Sequence, residues 1–474
     1  MKKTYYQFPL FVLSIFLFPQ LIFSQNTNTK YSIELNSAIS TKKTLPFWLT
    51  ANTFGTVPNT DFASINTSIF SEILAKNNSF KFEYKASLTG FITPSKKPII
   101  NELYGTFQFK NWNITLGNKN DEILWEGLSS SNGNIIKSTN TRALPGINIV
   151  TKDYIQLPFA KSWLSAKFNF AEYLMNDKRI VDNAHLHHKS LYFKSQLNSK
   201  LSIITGLDHY VQWGGTSPTY GKQPRNFKDY LRIITGSSGG NSANQGDQIN
   251  ALGNTLGAYL LQFNYKGEKL NWNFYYSHLF EDRSGREMMN YPDALYGVFV
   301  DLKKPKNIIS KLLVEVTYIR NNSGTSRHYR DENGIWHAAS GMDNYFNNFV
   351  YNSGWTYHGN TIGSPYFTPT QLNENGKSNG IIVGDNRFIA LNLGWTGMIH
   401  QFTYKTIFSR VMYVGWFDTE YNPKPTQFSG FLEVAFPKLK NIPFDISVSS
   451  SFDTGTYRPV NFGGYIKLSK KGIF

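Results

Sequence analysis

The 474-residue chain has no cysteine, which excludes disulfides, thiolate metal sites, a cysteine nucleophile and lipid attachment through cysteine. Charge is sparse at 17% of residues, and negative charge is sparser than positive, with 32 Asp and Glu against 48 Lys and Arg. Beyond the first residues no stretch approaches the roughly 18 consecutive apolar residues that a membrane helix requires. No linker rich in Pro, Ser or charge divides the chain, and no repeat of fixed period is found. A chain of two or three soluble β domains is therefore disfavoured, and one continuous architecture is expected.

What the chain does have begins at its start. Lys2 and Lys3 precede an apolar run from Phe8 to Phe18, and Ser24 is followed by polar Gln25, Asn26 and Thr27. This reads as a secretory signal peptide over residues 1–24, with Ile22 departing from the small residue usual at minus three. The run is too short to span comfortably, and Pro9 and Pro19 bracket it. Residues 25–474 are then expected to form a single domain.

From Phe80 to Phe91 the chain reads FKFEYKASLTGF, with Phe80, Phe82, Tyr84, Ala86 and Leu88 on one face and Lys81, Glu83, Lys85, Ser87 and Thr89 on the other. Such two-faced segments of about ten residues recur, and short connections alternate with long ones. Strands are expected at 31–40, 65–75, 80–91, 101–110, 112–118, 146–157, 162–173, 189–197, 201–210, 257–266, 270–280, 295–302, 310–320, 387–396, 399–412, 427–436, 444–453 and 460–469. The fold class is all-β: a transmembrane, antiparallel, up-and-down β-barrel of about 18 strands. Mean hydropathy of −0.35 fits, because half of every strand faces a polar lumen. Aromatic residues reach 16%, with 37 Phe, 28 Tyr and 10 Trp, which suits girdles at two membrane interfaces.

Short links such as Asn77-Asn78-Ser79, Pro158 to Lys161 and Lys266-Gly267-Glu268-Lys269 are turn chemistry. Long links fall near 119–145, 174–188, 211–256, 281–294, 321–386 and 413–426. Short turns belong to the periplasm and long loops to the outside, so both termini are expected to be periplasmic in the outer membrane of a Gram-negative cell. The alternating Val460, Phe462, Gly464, Ile466 and Leu468, with Phe474 last, resemble the terminal strand that barrel-assembly machinery recognises.

The net charge of +16 falls to +14 when Lys2 and Lys3 are removed, and it favours anionic partners. Nucleic acid is not expected for an exported chain without a recognisable binding module. Lipopolysaccharide or an acidic glycan is the expected partner. The loops near 211–256 and 321–386 interleave Tyr, Trp, Asn and His with Gly, which suits stacking on sugar rings and hydrogen bonding to hydroxyls. The same rings could equally plug the lumen. Lys222, Arg225, Lys228, Arg232, Arg283, Arg286, Arg327, Arg330 and Arg387 sit in loops, where Arg forks match carboxylate or phosphate; neutralising lipopolysaccharide is the alternative use. Between Phe227 and Ile234 the spacing fits helix and strand equally.

Nothing couples Asp121, Glu122, Glu126, Asp247, Glu281 or Asp282 into a glycosidase pair. His185, His187 and His188, read as a polar loop, lack neighbouring ligands of metal spacing. His278, Asp282 and Ser284 do not follow a hydrolase pattern. No catalysis, metal or cofactor is expected.

Leu45 to Pro58 (LPFWLTANTFGTVP), Gln212 to Gly215 (QWGG), Gly253 to Tyr259 (GNTLGAY), Phe280 to Gly285 (FEDRSG), the Tyr345 to Pro365 block and Arg410 to Phe417 (RVMYVGWF) together resemble the Wzi family of capsule-assembly outer-membrane proteins, in its Bacteroidetes-type version. The resemblance implies an 18-stranded barrel closed by its own loops and acting as a lectin without catalysis. Enterobacterial members carry a periplasmic helical bundle, and no amphipathic segment here is able to form one. On this basis Trp213, Tyr220, Arg225, Arg232, Arg283, Arg286, Trp336, Tyr345, Trp355, Tyr357 and His358 are the expected contacts to an acidic capsular polysaccharide or exopolysaccharide, presented by a monomeric barrel. The alternative is a passive porin selective for anionic solutes.

Overall fold

The computed structural model describes residues 29–74, 80–92, 96–160, 162–322, 329–330, 332–337, 343–369, 382–416, 419–439 and 442–474. The expected signal peptide, the turn at Asn77-Asn78-Ser79, Lys161 and Arg327 lie outside these residues. The wall consists of β1 (Lys30–Ser40), β2 (Phe62–Leu74), β3 (Phe80–Phe91), β4 (Ile99–Phe109), β5 (Trp112–Asn118), β6 (Gly146–Thr151), β7 (Leu164–Met175), β8 (Ala184–Gln196) and β9 (Leu201–Trp213). It continues through β10 (Asn254–Lys266), β11 (Asn271–Phe280), β12 (Ala294–Asp301), β13 (Lys311–Ile319), β14 (Arg387–Ile399), β15 (Phe402–Trp416), β16 (Thr426–Ala435), β17 (Asp445–Gly455) and β18 (Asn461–Ile473). Each strand pairs antiparallel with the next, and β1 pairs with β18 from Lys30 opposite Ile473 to Ser40 opposite Gly463, closing the sheet. An even strand number is what lets the last strand run antiparallel to the first.

All eighteen expected strands are present. The differences are at their ends: β8 begins at Ala184 rather than near 189, so His185, His187 and His188 stand on a strand and not in a loop. Their partners explain the longer strand. His187 Nδ1 lies 3.1 Å from Glu172 on β7, and His188 Nε2 lies 3.1 Å from Asp208 on β9, so cross-strand polar pairs carry the ladder through a segment of mixed character.

Burial is inverted relative to a water-soluble protein. On β13, Val314 and Val316 are 38% and 36% exposed, whereas Glu315 and Thr317 are each 1% exposed. On β3, Leu88 is exposed while Ser87 and Thr89 are buried. Side chains alternate across a strand, so the apolar row faces out and the polar row faces in on the same strand. An outward apolar surface of this kind is stable only against hydrocarbon. Aromatic residues mark the short-turn end: Tyr265 stacks on Trp272 with centroids 5.9 Å apart, and Trp395 Nε1 donates to Tyr404 Oη at 3.2 Å. Tyr276 and Tyr296, 5.2 Å apart, stand toward the long-loop end.

The hydrophobic core lies inside the barrel and is supplied by connections. Among the described residues most of that supply comes from three segments: 41–61, which carries the single-turn helix α1 (Phe47–Thr50), together with 119–145 and 343–369. Phe47, Ile135, Ile136, Phe346, Trp355 and Phe367 pack there against inward Tyr210, Leu279, Phe388 and Tyr413 of the wall. Polar contacts fix the segments. Trp48 Nε1 donates to Ser409 Oγ at 3.0 Å, Asn134 Nδ2 to Asp208 at 2.7 Å, Gln212 Nε2 to the Gly354 carbonyl at 3.1 Å, and Asn392 Nδ2 to the Leu128 carbonyl at 2.9 Å.

Two other connections fold outward. Tyr210 and Gln212 point into the lumen toward Trp355 and Gly354, so alternation places Val211 and Trp213 on the outer face. There they are covered by Tyr230 and Ile233 of helix α2 (Phe227–Thr235) and by Ala243 and Leu252. The ambiguous Phe227 to Ile234 stretch is thus helical, and its capping box explains why: Asn226 accepts from the Asp229 amide, and Asp229 accepts from the Asn226 amide. Helix α3 (Gln245–Ile249) follows it. Past β11, His278 Nε2 lies 3.1 Å from the Gly285 carbonyl in α4 (Arg283–Arg286), again outside the wall.

Candidate functional site

The eleven expected contacts are scattered by the fold. Tyr345 and Trp355 are fully buried and Tyr357 is 2% exposed. Trp355 Nε1 donates to the Ile136 carbonyl at 2.7 Å, Tyr345 Oη accepts from Asn290 Nδ2 at 2.8 Å, and Tyr357 Oη donates to Asn176 Oδ1 at 2.5 Å. Trp213 stands on the outer wall, where its Nε1 donates to Glu172 at 2.7 Å. Arg232 is ion-paired to Asp229 and Arg283 to Glu287. Tyr220, edge-on to Phe349, Arg225 and Arg286 are exposed. The side chain of Trp336 lies outside the described residues. Only His358 among the described contacts lines the large cavity at the long-loop end.

That cavity, about 1010 Å³, is an open cleft above the lumen segments. It falls at the upper end of the size usual for ligand sites. Among the described residues, four chain segments bring five cations to it: Lys96 and Lys97 between β3 and β4, Arg142 before β6, Lys178 between β7 and β8, and Arg458 between β17 and β18. These residues were not singled out in the sequence, because each stands alone in its own loop and the loops span more than 350 residues. Local turn residues were the one available signal, as in Arg458-Pro459 and Ser95-Lys96-Lys97.

The surrounding hydrogen bonds build the cleft. Arg142 Nε donates to the Gly55 carbonyl at 3.5 Å, and Asn140 and Asn360 bridge the 119–145 and 343–369 segments through backbone carbonyls, each at 3.1 Å. Gly55 has φ +58°, and a Cβ there would stand 3.1 Å from the Arg142 amide nitrogen, so glycine allows the two loops to touch. The Arg458 guanidinium lies 5.5 Å from the Phe47 ring centroid and 5.9 Å from that of Tyr457. Lys96 Nζ donates to Thr60 Oγ1 at 2.8 Å, and burial lowers its pKa. Burial also lowers the pKa of Arg142, which remains a cation at neutral pH.

Among the described residues two carboxylates line the cleft, and both are hydrogen-bonded within the protein. Asp177 accepts from Arg179 Nη1 at 2.9 Å and from the His358 amide at 3.0 Å, on different oxygens. Asp453 accepts from the Phe47 amide at 3.0 Å and from Ser429 Oγ at 2.7 Å, again on different oxygens. The described residues thus offer cations, amides and hydroxyls to a ligand. The hydrolase-like residues are likewise spent: Ser284 Oγ donates to Asp282 at 2.6 Å, while His278 is bonded to a backbone carbonyl.

His358 projects at the cleft with one edge exposed. Partial burial chiefly, and then the Arg142 guanidinium, push its pKa down to about 4, with Asp177 opposing them. The folded protein thus keeps this imidazole neutral where an ordinary histidine, near 6.5, would be half protonated. Its contribution to stability is complete above about pH 6.5 and is lost as pH falls toward about 4. We expect His358→Ala to leave the pH profile of anion binding unchanged between about pH 5.5 and 7.5. A profile that flattens in this variant would show that His358 titrates in that range.

Below the cleft a second cavity of about 330 Å³ opens among inward residues of β1, β15, β16 and β18, including Glu34, Lys405, Glu433 and Lys467. Ala51 and Val57 line both spaces, so the 41–61 segment is the partition between them.

The sequence model of the capsule assembly protein Wzi family matches residues 95–372, more than half of the chain. The fold is similar to that of Wzi from Escherichia coli, described as an outer membrane protein involved in group 1 capsule assembly and a carbohydrate-binding β-barrel. The two share 12% identity with a TM-score of 0.55 over 98% of this chain and 89% of that one. OprD and OpdQ of Pseudomonas aeruginosa are similar at 6% and 7% identity, with TM-scores of 0.48 and 0.49, over 95% of this chain and 96% and 100% of theirs. No curated protein matches. A closed 18-strand barrel with an outward apolar face and the family match over 95–372 lead to one conclusion: this chain is an outer-membrane β-barrel belonging to the Wzi family of capsule assembly proteins.

Proposed function

We propose that the protein is a non-catalytic surface lectin that holds exported acidic capsular polysaccharide or exopolysaccharide at the cell. The observation that carries this reading is the cleft, where Lys96, Lys97, Arg142, Lys178 and Arg458 converge above a lumen filled by packed segments. Guanidinium forks and ammonium groups suit glycan carboxylates, and Asn140, Asn360 and the Thr and Ser hydroxyls suit sugar hydroxyls. His358 belongs to this surface. Exposed Tyr220, Arg225 and Arg286 extend the cationic and aromatic face beyond it, and buried Tyr345, Trp355 and Tyr357 support its floor. In this reading the long loops face outward from the cell, both termini are periplasmic, β18 is the segment read by assembly machinery, residues 1–24 are removed, and the barrel acts as a monomer. One polymer meets many barrels, so weak individual sites suffice.

Lys97→Ala with Lys178→Ala tests the cleft, since both side chains are exposed and neither is in an ion pair among the described residues. Affinity of the purified protein for an acidic capsular polymer should fall on the order of tenfold, and binding should weaken with added salt. A neutral polymer should be unaffected. Cells carrying the double variant should shed polymer into the medium. Undiminished affinity for the acidic polymer would remove the cleft from the reading. Planar-bilayer conductance addresses the porin alternative: a silent barrel agrees with a filled lumen, and a stable anion-selective current would replace the lectin with a channel.

A further inference from the structure

Helix α2 does not belong to the cleft, and its position on the outer wall calls for its own explanation. On β9 the outward row is Leu207, His209, Val211 and Trp213; Leu207 is 37% exposed, whereas Val211 and Trp213 lie under the helix. The helix therefore rests where the lipid-facing row ends. A polar staple holds it there. Glu172 of β7 also points outward, and it receives Trp213 Nε1 at 2.7 Å, His187 Nδ1 at 3.1 Å and a hydrogen bond from Tyr230 of the helix. A charged group on the outward face of a barrel wall is destabilising against hydrocarbon, and the helix covers this one.

The rest of the helix surface is divided. At about 100° per residue, Tyr230 and Ile233 mark the wall side, Phe227, Leu231 and Ile234 form an apolar flank beside it, and Lys228 and Arg232 form a basic flank turned away from the wall. Phe227 is 75% exposed and Leu231 46% exposed. Exposed Lys222 and Arg225 lead into the helix from the same connection. Phe227 and Leu231 of the apolar flank are left uncovered by the described residues, and the flank adjoins the outward apolar surface of the barrel. The neighbouring connection is similar in kind: outside β10 and β11 it exposes Met288, Met289 and Tyr291 beside Arg283 and Arg286.

We propose that α2 is an interfacial anchor that docks on the anionic outer leaflet around the barrel. Phe227 and Leu231 enter the acyl region, and Lys222 and Lys228 engage lipid A phosphates. Amphipathic helices lying in the interface plane combine these two flanks, and each basic residue near an anionic surface adds to the attraction. The lipid is the one occupant in continuous contact with the adjoining wall. The inference is independent of the polysaccharide cleft.

The absence of cysteine makes site-directed labelling direct. Single variants Phe227→Cys, Lys228→Cys, Leu231→Cys and Thr235→Cys would be nitroxide-labelled and reconstituted in phosphatidylcholine vesicles containing lipid A. Collision with oxygen should dominate at 227 and 231, and collision with a water-soluble nickel chelate should dominate at 228 and 235. Equal nickel accessibility at all four positions would overturn the proposal. In a second measurement, Lys222→Gln with Lys228→Gln should lower lipid A retained through detergent exchange on the order of tenfold, with heat-modifiable migration reporting an intact barrel. Unchanged retention in a folded barrel would also overturn it. Acidic-polymer binding should survive these changes, so failure here is distinguishable from failure of the lectin reading.

Discussion

Glu315→Ala is expected to turn a silent barrel into a conducting one. Glu315 stands on the inner face of β13, 1% exposed, and accepts from the Ser130 amide at 2.7 Å, from Ser129 Oγ, from Tyr275 Oη at 2.7 Å and from Asn392 Nδ2 at 3.4 Å. Two of these donors belong to the 119–145 segment and two to the wall, so one carboxylate joins plug to barrel. Alanine leaves several buried donors without a partner, each costing about 1–3 kcal/mol. That loss falls on a lumen segment, whereas the wall keeps its closed ladder. Planar-bilayer recordings should show current while heat-modifiable migration is retained. Glu315→Gln, which keeps one acceptor, should have a smaller effect. A silent Glu315→Ala barrel would show that other contacts suffice to hold 119–145.

Trp355→Ala is expected to be the most damaging truncation among the aromatic loop residues. The side chain is fully buried, its Nε1 donates to the Ile136 carbonyl, and its ring lies 5.7 Å edge-on from that of Tyr210. Large-to-small changes of this kind cost about 3–5 kcal/mol. Amide exchange should quicken in 343–369 and in 119–145 together, because Trp355 bridges them, and polymer retention should decline as the floor loosens. Trp355→Phe should recover part of the protection. If affinity fell while protection in both segments stayed intact, Trp355 would be touching sugar directly.

These two residues also mark where the sequence could and could not be read. The eighteen strands were legible because an alternating face repeats along every wall segment, and Val314, Glu315, Val316 and Thr317 display that alternation plainly. Trp355 was legible as important and not as buried, since the rings and amides that stack on sugars are the same groups that fill a lumen. Helix α2 was ambiguous because its apolar residues serve two surfaces at once, the wall through Ile233 and the exterior through Phe227. The cleft was hidden for a different reason. Lys97, Arg142, Lys178 and Arg458 become neighbours only after the ring of strands closes, and no local pattern records that event.

The pairing of β1 with β18 bears on the order in which the molecule is made. Its register joins residues more than 420 positions apart, such as Ser40 and Gly463, while every other neighbouring pair of wall strands is joined by a connection of at most about 70 residues. The entropic cost of bringing ends together grows with separation, so this seam is the slowest contact to find and the last to form. Until it forms, both rims of the sheet present unpaired amides and carbonyls to whatever is nearby. The waiting chain is at its most vulnerable then, and its survival depends on how quickly two distant ribbons meet.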